Sequence, residues 1–138
     1  MSVKETVEAI YKAYKARDLD GTLAQMSENM RYEWPYDATN PLCGCCHGRD
    51  AMAERLMALG ADFEFHNFEV DDLIVVGDRA AARITMTLSS KKSGAPLINR
   101  GAHFWRFENG KAVELIEHYD TALLATHAGD ACHMLPAA

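Results

Sequence analysis

His118 and Asp120 stand two residues apart in the run Glu117-His118-Tyr119-Asp120-Thr121-Ala122-Leu123-Leu124. On a strand, that spacing points both side chains to one face. Upstream, His103-Phe104-Trp105-Arg106-Phe107-Glu108 reads as a strand that closes into a hairpin at Asn109-Gly110. The hairpin would bring His103 beside the other two. Two imidazoles and a carboxylate equip a pocket for proton transfer, with Asp120 as the expected base, His103 assisting it and His118 in support.

The surroundings these groups would need are also visible. Tyr32, Trp34 and Tyr36 alternate with Arg31, Glu33 and Pro35, so one face of that segment is aromatic. With Leu56, Phe63, Phe65 and Trp105 they form a candidate lining for a small, flat, apolar molecule. Gly101, His103, Trp105 and Phe107 share one strand face by alternation, which puts His103 next to the aromatic set. A carboxylate among such rings is poorly solvated, and poor solvation raises its hold on a proton. Tyr14, on the apolar side of the first helix, is a candidate hydrogen-bond donor into the same space.

The elements that must position these groups run helices first, strands later. Ser2-Val3-Lys4-Glu5 is a capping box, and Val3, Val7, Ile10 and Tyr14 follow at helical spacing to the Arg17-Asp18 break. Helices are expected near 3–17, 20–27 and 48–59, the last stopped by Gly60. From Phe63 onward the period becomes two, with turn signals at Gly77-Asp78, Ser93-Gly94 and Asn109-Gly110. Ala80, Ala82, Ile84, Met86 and Leu88 alternate with Ala81, Arg83, Thr85, Thr87 and Ser89, so that strand is covered on one side. The reading is α+β, one domain over 1–138, with a sheet through 63–122 and a small-residue tail at 124–138 as a candidate mobile segment.

Composition narrows the function. With 138 residues, 49% hydrophobic and 25% charged, the chain suits one globular core. Fourteen basic against twenty acidic residues, and no basic cluster, argue against nucleic acid and anionic membranes as partners. No run approaches the roughly 18 apolar residues of a membrane span, and a cytoplasmic location is expected. Three of the four cysteines fall in Cys43-Gly44-Cys45-Cys46-His47, and Cys132 precedes His133. Neither paired zinc spacing is present, so reduced thiols are expected there and no metal. His47, His66, His127 and His133 show no convincing partners.

Several runs together resemble the SnoaL-like branch of the nuclear transport factor 2-like superfamily. They are Lys15-Ala16-Arg17-Asp18-Leu19-Asp20-Gly21, the Gly48 start of a third helix, Val76-Gly77-Asp78-Arg79-Ala80-Ala81-Ala82-Arg83, and Phe107-Glu108-Asn109-Gly110-Lys111. The resemblance spans nearly the whole chain. It implies a cone-shaped, strongly curved mixed sheet wrapped around a long N-terminal helix, two shorter helices, a ligand cavity at the open end and a homodimer. In SnoaL-like polyketide cyclases an acidic residue shortly before a Leu-Leu pair and a glycine is the acid/base. Asp120, before Leu123-Leu124 and Gly129, takes that place, with the leucines one position early and a glutamine before the glycine absent.

Ketosteroid isomerases share that fold, but their machinery is missing. Their helix tyrosine falls on Ile10, their base aspartate on Trp34 and their hydrogen-bonding acid on His103. Epoxide hydrolysis is also disfavoured, because no aspartates flank the arginine in Asn99-Arg100-Gly101. The expected function is a cofactor-independent isomerase, cyclase or dehydratase acting on a small hydrophobic or aromatic carbonyl compound. The alternative is a non-catalytic binding protein for a small apolar ligand, and a third class is an interaction module working through the sheet surface.

Overall fold

The computed structural model describes residues 1–34, 44–120 and 123. Tyr36, Cys43, Leu124, His127, Gly129, Cys132, His133 and the tail at 124–138 lie outside the described residues.

Helix α1 (Val3–Lys15) begins with the capping box in place: Glu5 N–H donates to Ser2 Oγ, and Ser2 N–H donates to Glu5 Oε1. Arg17, left-handed at φ 60°, ends this helix, and Asp18 caps α2 (Leu19–Ala24) through Gly21 N–H. Strand β1 (Met26–Trp34) follows two residues later, so α2 is shorter than its expected 20–27. Helix α3 (Arg49–Asp62) runs through Gly60, correcting the expected stop there. The helix ends where Phe63 turns extended and its side chain buries at the start of β3.

One six-stranded sheet holds the rest, in the order β2-β1-β6-β5-β4-β3. The further strands are β2 (Gly44–His47), β3 (Phe63–Val76), β4 (Arg79–Ser90), β5 (Pro96–Glu108) and β6 (Lys111–Tyr119). β1 pairs β6 in parallel and every other neighbouring pair is antiparallel, so the sheet is mixed. It stays unclosed, with β2 and β3 at its edges. The turns fall at the predicted signals, and Asn109 and Gly110, both at positive φ, form the tight β5–β6 connection.

Bulges curve the sheet. In β3 the pairing shifts between Phe65 and Asn67 and again between Val70 and Asp72, so His66 and Asp71 are extra residues. Each restarts the alternation, so the inward set is Phe63, Phe65, Phe68, Val70, Leu73 and Val75 instead of a single period-two series. The displaced side chains find partners on β4, His66 at Ser89 and Asp71 at Thr85. Inside the curve, Val7, Ile10 and Tyr11 of α1 pack with Met30, Ile84 and Phe107 as the main core. No helix of the described residues is long and apolar enough to cross a membrane.

Candidate active site

The inner face of β5 carries Leu97, Asn99, Gly101, His103, Trp105 and Phe107, as alternation predicts. Across from it, β6 is out of the simple hairpin phase. Phe107 pairs with Ala112, but Arg106 pairs with Glu114, so Val113 is an extra residue. From there onward the inward positions are Leu115, Glu117 and Tyr119, and His103 faces Glu117. His118 and Asp120 are turned to the exposed side. This corrects the expectation that Asp120 and His103 share a pocket: Asp120 Oδ1 accepts from Leu123 N–H at 2.9 Å, and His118 packs edge-on against Phe104. The carboxylate that lines the cavity is Glu117.

A chain of contacts links α1, β5, β6 and β1. Trp105 Nε1–H donates to Tyr11 Oη at 2.8 Å, and Tyr11 Oη lies 2.8 Å from His103 Nδ1. His103 Nε2 is 3.3 Å from Glu117 Oε1, and Tyr32 O–H donates to Glu117 Oε2 at 2.7 Å. The tautomer follows from the donors. Indole N–H can only donate and the Glu117 carboxylate can only accept, so with a neutral ring the Tyr11 oxygen accepts from Trp105 and gives its own proton to His103 Nδ1. The remaining imidazole proton then sits on Nε2, facing the carboxylate. Burial pushes the His103 imidazole below the ordinary histidine range, with Glu117 pulling it part of the way back. A neutral ring makes the 3.3 Å contact a dipole aimed at a carboxylate and not an ion pair.

This state of His103 has a consequence for stability. Its folded-state affinity for a proton is depressed, so the unfolded chain binds more protons below the ordinary histidine pKa of about 6.5. The contribution is full above that pH and is lost as pH falls through the lowered folded value. Urea unfolding across pH 7 to 5 should show a fall in stability that His103→Asn flattens; an unchanged slope would remove this assignment.

The network borders a cavity of about 80 Å³ lined by Tyr14, Leu56, Phe63, Phe65, Met86 and Glu117, among others. It adjoins a second hollow of about 370 Å³ between α1, α3 and β3, with Tyr14, Thr22, Leu56, Phe65 and Phe68 belonging to both. Tyr32, Leu56, Phe63, Phe65, Trp105 and Tyr14 therefore line the space assigned to them. Trp34 does not; it is buried beneath Arg55, whose guanidinium carbon is 4.3 Å from its ring centre. Burial pushes the hydroxyls of Tyr11, Tyr14 and Tyr32 up, and Glu117 adds to each, so all three remain donors. Tyr11, Arg55, Asn99 and Glu117 escaped the sequence reading. Tyr11, four residues after Val7, was on the apolar stripe; Glu117 had no signal without the bulge.

The thiols of β2 do not form part of this site. Cys45 is exposed and Cys46 half-buried, as alternation on a strand requires. Burial pushes the Cys46 thiol up. Among the described residues no group of three or more His, Cys, Asp or Glu could hold a metal ion.

A family model for the SnoaL-like domain matches residues 7–115, which include most of α1, all of α2 and α3 and the strands that carry Tyr32 and His103. The chain belongs to the SnoaL-like domain family. A nuclear transport factor 2-like protein of unknown function from Burkholderia pseudomallei is 30% identical, with a TM-score of 0.81, covering 91% of this chain and 97% of that one. A candidate SnoaL-like polyketide cyclase from Mesorhizobium loti is 20% identical, with a TM-score of 0.71 and 87% and 99% coverage. TerC, crystallised with polyporic acid, is 22% identical, with a TM-score of 0.77 and 90% and 95% coverage. At those last two identities the likeness is one of fold. A comparison with curated proteins gave no match. The SnoaL-like assignment agrees with the curved mixed sheet and three helices.

Proposed function

We propose that this SnoaL-like protein is a cofactor-independent isomerase, cyclase or dehydratase, acting on a small hydrophobic or aromatic carbonyl compound with Glu117 as the base. The observation that carries this reading is the Glu117 carboxylate on the cavity wall, held between Tyr32 O–H and the His103 ring. Glu117 removes a proton from the carbon beside the carbonyl, and the C–H electrons form an enolate. Tyr14, whose hydroxyl has no hydrogen-bond partner among the described residues, offers a proton donor toward the enolate oxygen. Returning the proton to another carbon completes an isomerisation. Attack of the enolate on a second carbonyl gives an aldol-type cyclisation, and loss of water from the product gives a dehydration.

His103 acts here as a positioning residue, since both ring nitrogens are engaged and its neutral N–H orients the carboxylate. The test needs no knowledge of the natural substrate: small aromatic ketones are incubated in D₂O and the loss of their α-proton signals is followed by NMR. Enzyme-dependent exchange supports the proposal. Tight ketone binding without exchange would put the carrier reading in its place.

The same reading includes a cytoplasmic homodimer. Phe104 and Ile98, on the outer face of β5, are about half exposed (48% and 50%), and Ile74 and Val76 on β3 are more so. Apolar area of that kind is best buried against a symmetric copy. Light scattering at micromolar concentration should give twice the chain mass, and Phe104→Glu should shift it to the monomer. A wild-type monomer would refute the dimer.

A further inference from the structure

The cavity contains polar groups that the proton-transfer network does not use. Arg55, projecting from α3, lines it, and its guanidinium carbon is 4.3 Å from the Trp34 ring centre. Its Nε is buried without a hydrogen-bond partner, and no ion pair joins it to a carboxylate among the described residues. On the β5 wall Asn99 is only 6% exposed, and its side-chain oxygen is likewise buried and unpartnered. An Arg55 Nε and an Asn99 Oδ1 buried without partners are costly on their own. Both costs are relieved by one ligand that brings acceptors to Arg55 and a polar group to Asn99, whose amide can turn to present either its oxygen or its nitrogen.

From these two unpartnered groups we infer that the cavity takes a carbonyl compound that also bears a carboxylate, the carboxylate being held by Arg55. Arg55 is the one cation among the described lining residues, because the buried His103 is neutral. A single planar cation matches a monoanion, and its fork fits the two oxygens of a carboxylate. The cation–π contact with Trp34 holds the guanidinium in place before the ligand arrives. Arg55 and Glu117 both act electrostatically on Tyr14 and Tyr32 without touching each other. Both charges line the same cavity, Arg55 from α3 and Glu117 from β6, and its aromatic walls receive the ligand's carbon skeleton. In that pose the acid end is at Arg55 and the acidic C–H faces Glu117. The inference rests on the proposed use of this cavity by a carbonyl compound, and it adds the ligand's charge and the residue that reads it.

Binding separates the two claims. Dissociation constants are measured by calorimetry for a panel of acetyl- and acylbenzoates, each paired with a neutral match in which methyl replaces the carboxylate. At least one carboxylate should bind tenfold or more tighter than its match, and raising the salt concentration should weaken only the carboxylates. Arg55→Gln should erase the preference, bringing each carboxylate within about twofold of its neutral match. The comparison within the wild-type protein stands even if that variant folds poorly. If no carboxylate outbinds its neutral match tenfold, the inference is overturned. A carboxylate preference that depends on Arg55, found together with no α-proton exchange for any ketone, upholds this inference while the catalytic reading fails.

Discussion

Glu117→Gln is expected to lower the rate of α-proton exchange by roughly 10² to 10⁴, the usual share of a positioned acid/base group. The amide keeps the shape and can still accept from Tyr32 O–H, so the protein should remain folded and should still bind the ketone. What it cannot do is take a proton. The same substitution at Asp120, Asp120→Asn, should leave exchange within about twofold, because that carboxylate is exposed and bonded to Leu123 N–H, with no contact to the cavity network. The pair of variants is the sharpest test of the phase of β6. Exchange that survives Glu117→Gln and disappears with Asp120→Asn would reverse the assignment.

Tyr11→Phe is expected to lower stability by about 2–4 kcal/mol, although it removes only one oxygen atom. That oxygen accepts from Trp105 Nε1–H and donates to His103 Nδ1, and both partners are buried. Removing it abandons two buried polar groups, each at about 1–3 kcal/mol, with some relief if water enters. For a chain of this size the melting temperature should fall by on the order of 10 °C. Tyr14→Phe serves as the comparison, since no partner of its hydroxyl is seen among the described residues, and it should cost under about 0.5 kcal/mol. Equal losses for the two variants would mean that the Trp105–Tyr11–His103 chain does not act as a unit. A double-mutant cycle with His103→Asn would then measure how much of the Tyr11 effect passes through the imidazole.

Much of the fold was legible because its signals are local. The Ser2–Glu5 capping box, the Val7–Ile10–Tyr14 stripe and the Asn109-Gly110 turn each depend on residues within a few positions of one another. The inward series Ala80, Ala82, Ile84 and Leu88 is likewise contained within one uninterrupted strand. The placement of His103 among the aromatic residues came from the same kind of evidence, an unbroken alternation along β5. Sequence alone thus determined α+β, the strands and turns from Phe63 onward and one wall of the cavity, while β2 was not read as a strand.

The inward face of β6 was decided only by the tertiary structure. A two-residue hairpin at Asn109-Gly110 continued without interruption would pair His103 with Ile116 and turn His118 and Asp120 inward. The extra residue Val113 shifts the register by one, pairs His103 with Glu117 and exchanges every inward and outward side chain beyond it. Nothing in Lys111-Ala112-Val113-Glu114-Leu115 marks that bulge, because it is selected by packing: Ala112 is fully buried at the close of the hairpin and donates its N–H to Gln25, while Leu115 fills the core beside Tyr32. The same holds for His66 and Asp71 in β3, and for Arg55, whose place on Trp34 depends on how α3 lies against β1. Local pattern determines which residues can alternate; the phase of the alternation past a bulge belongs to the folded sheet, where one inserted residue costs little and sets which carboxylate faces the cavity.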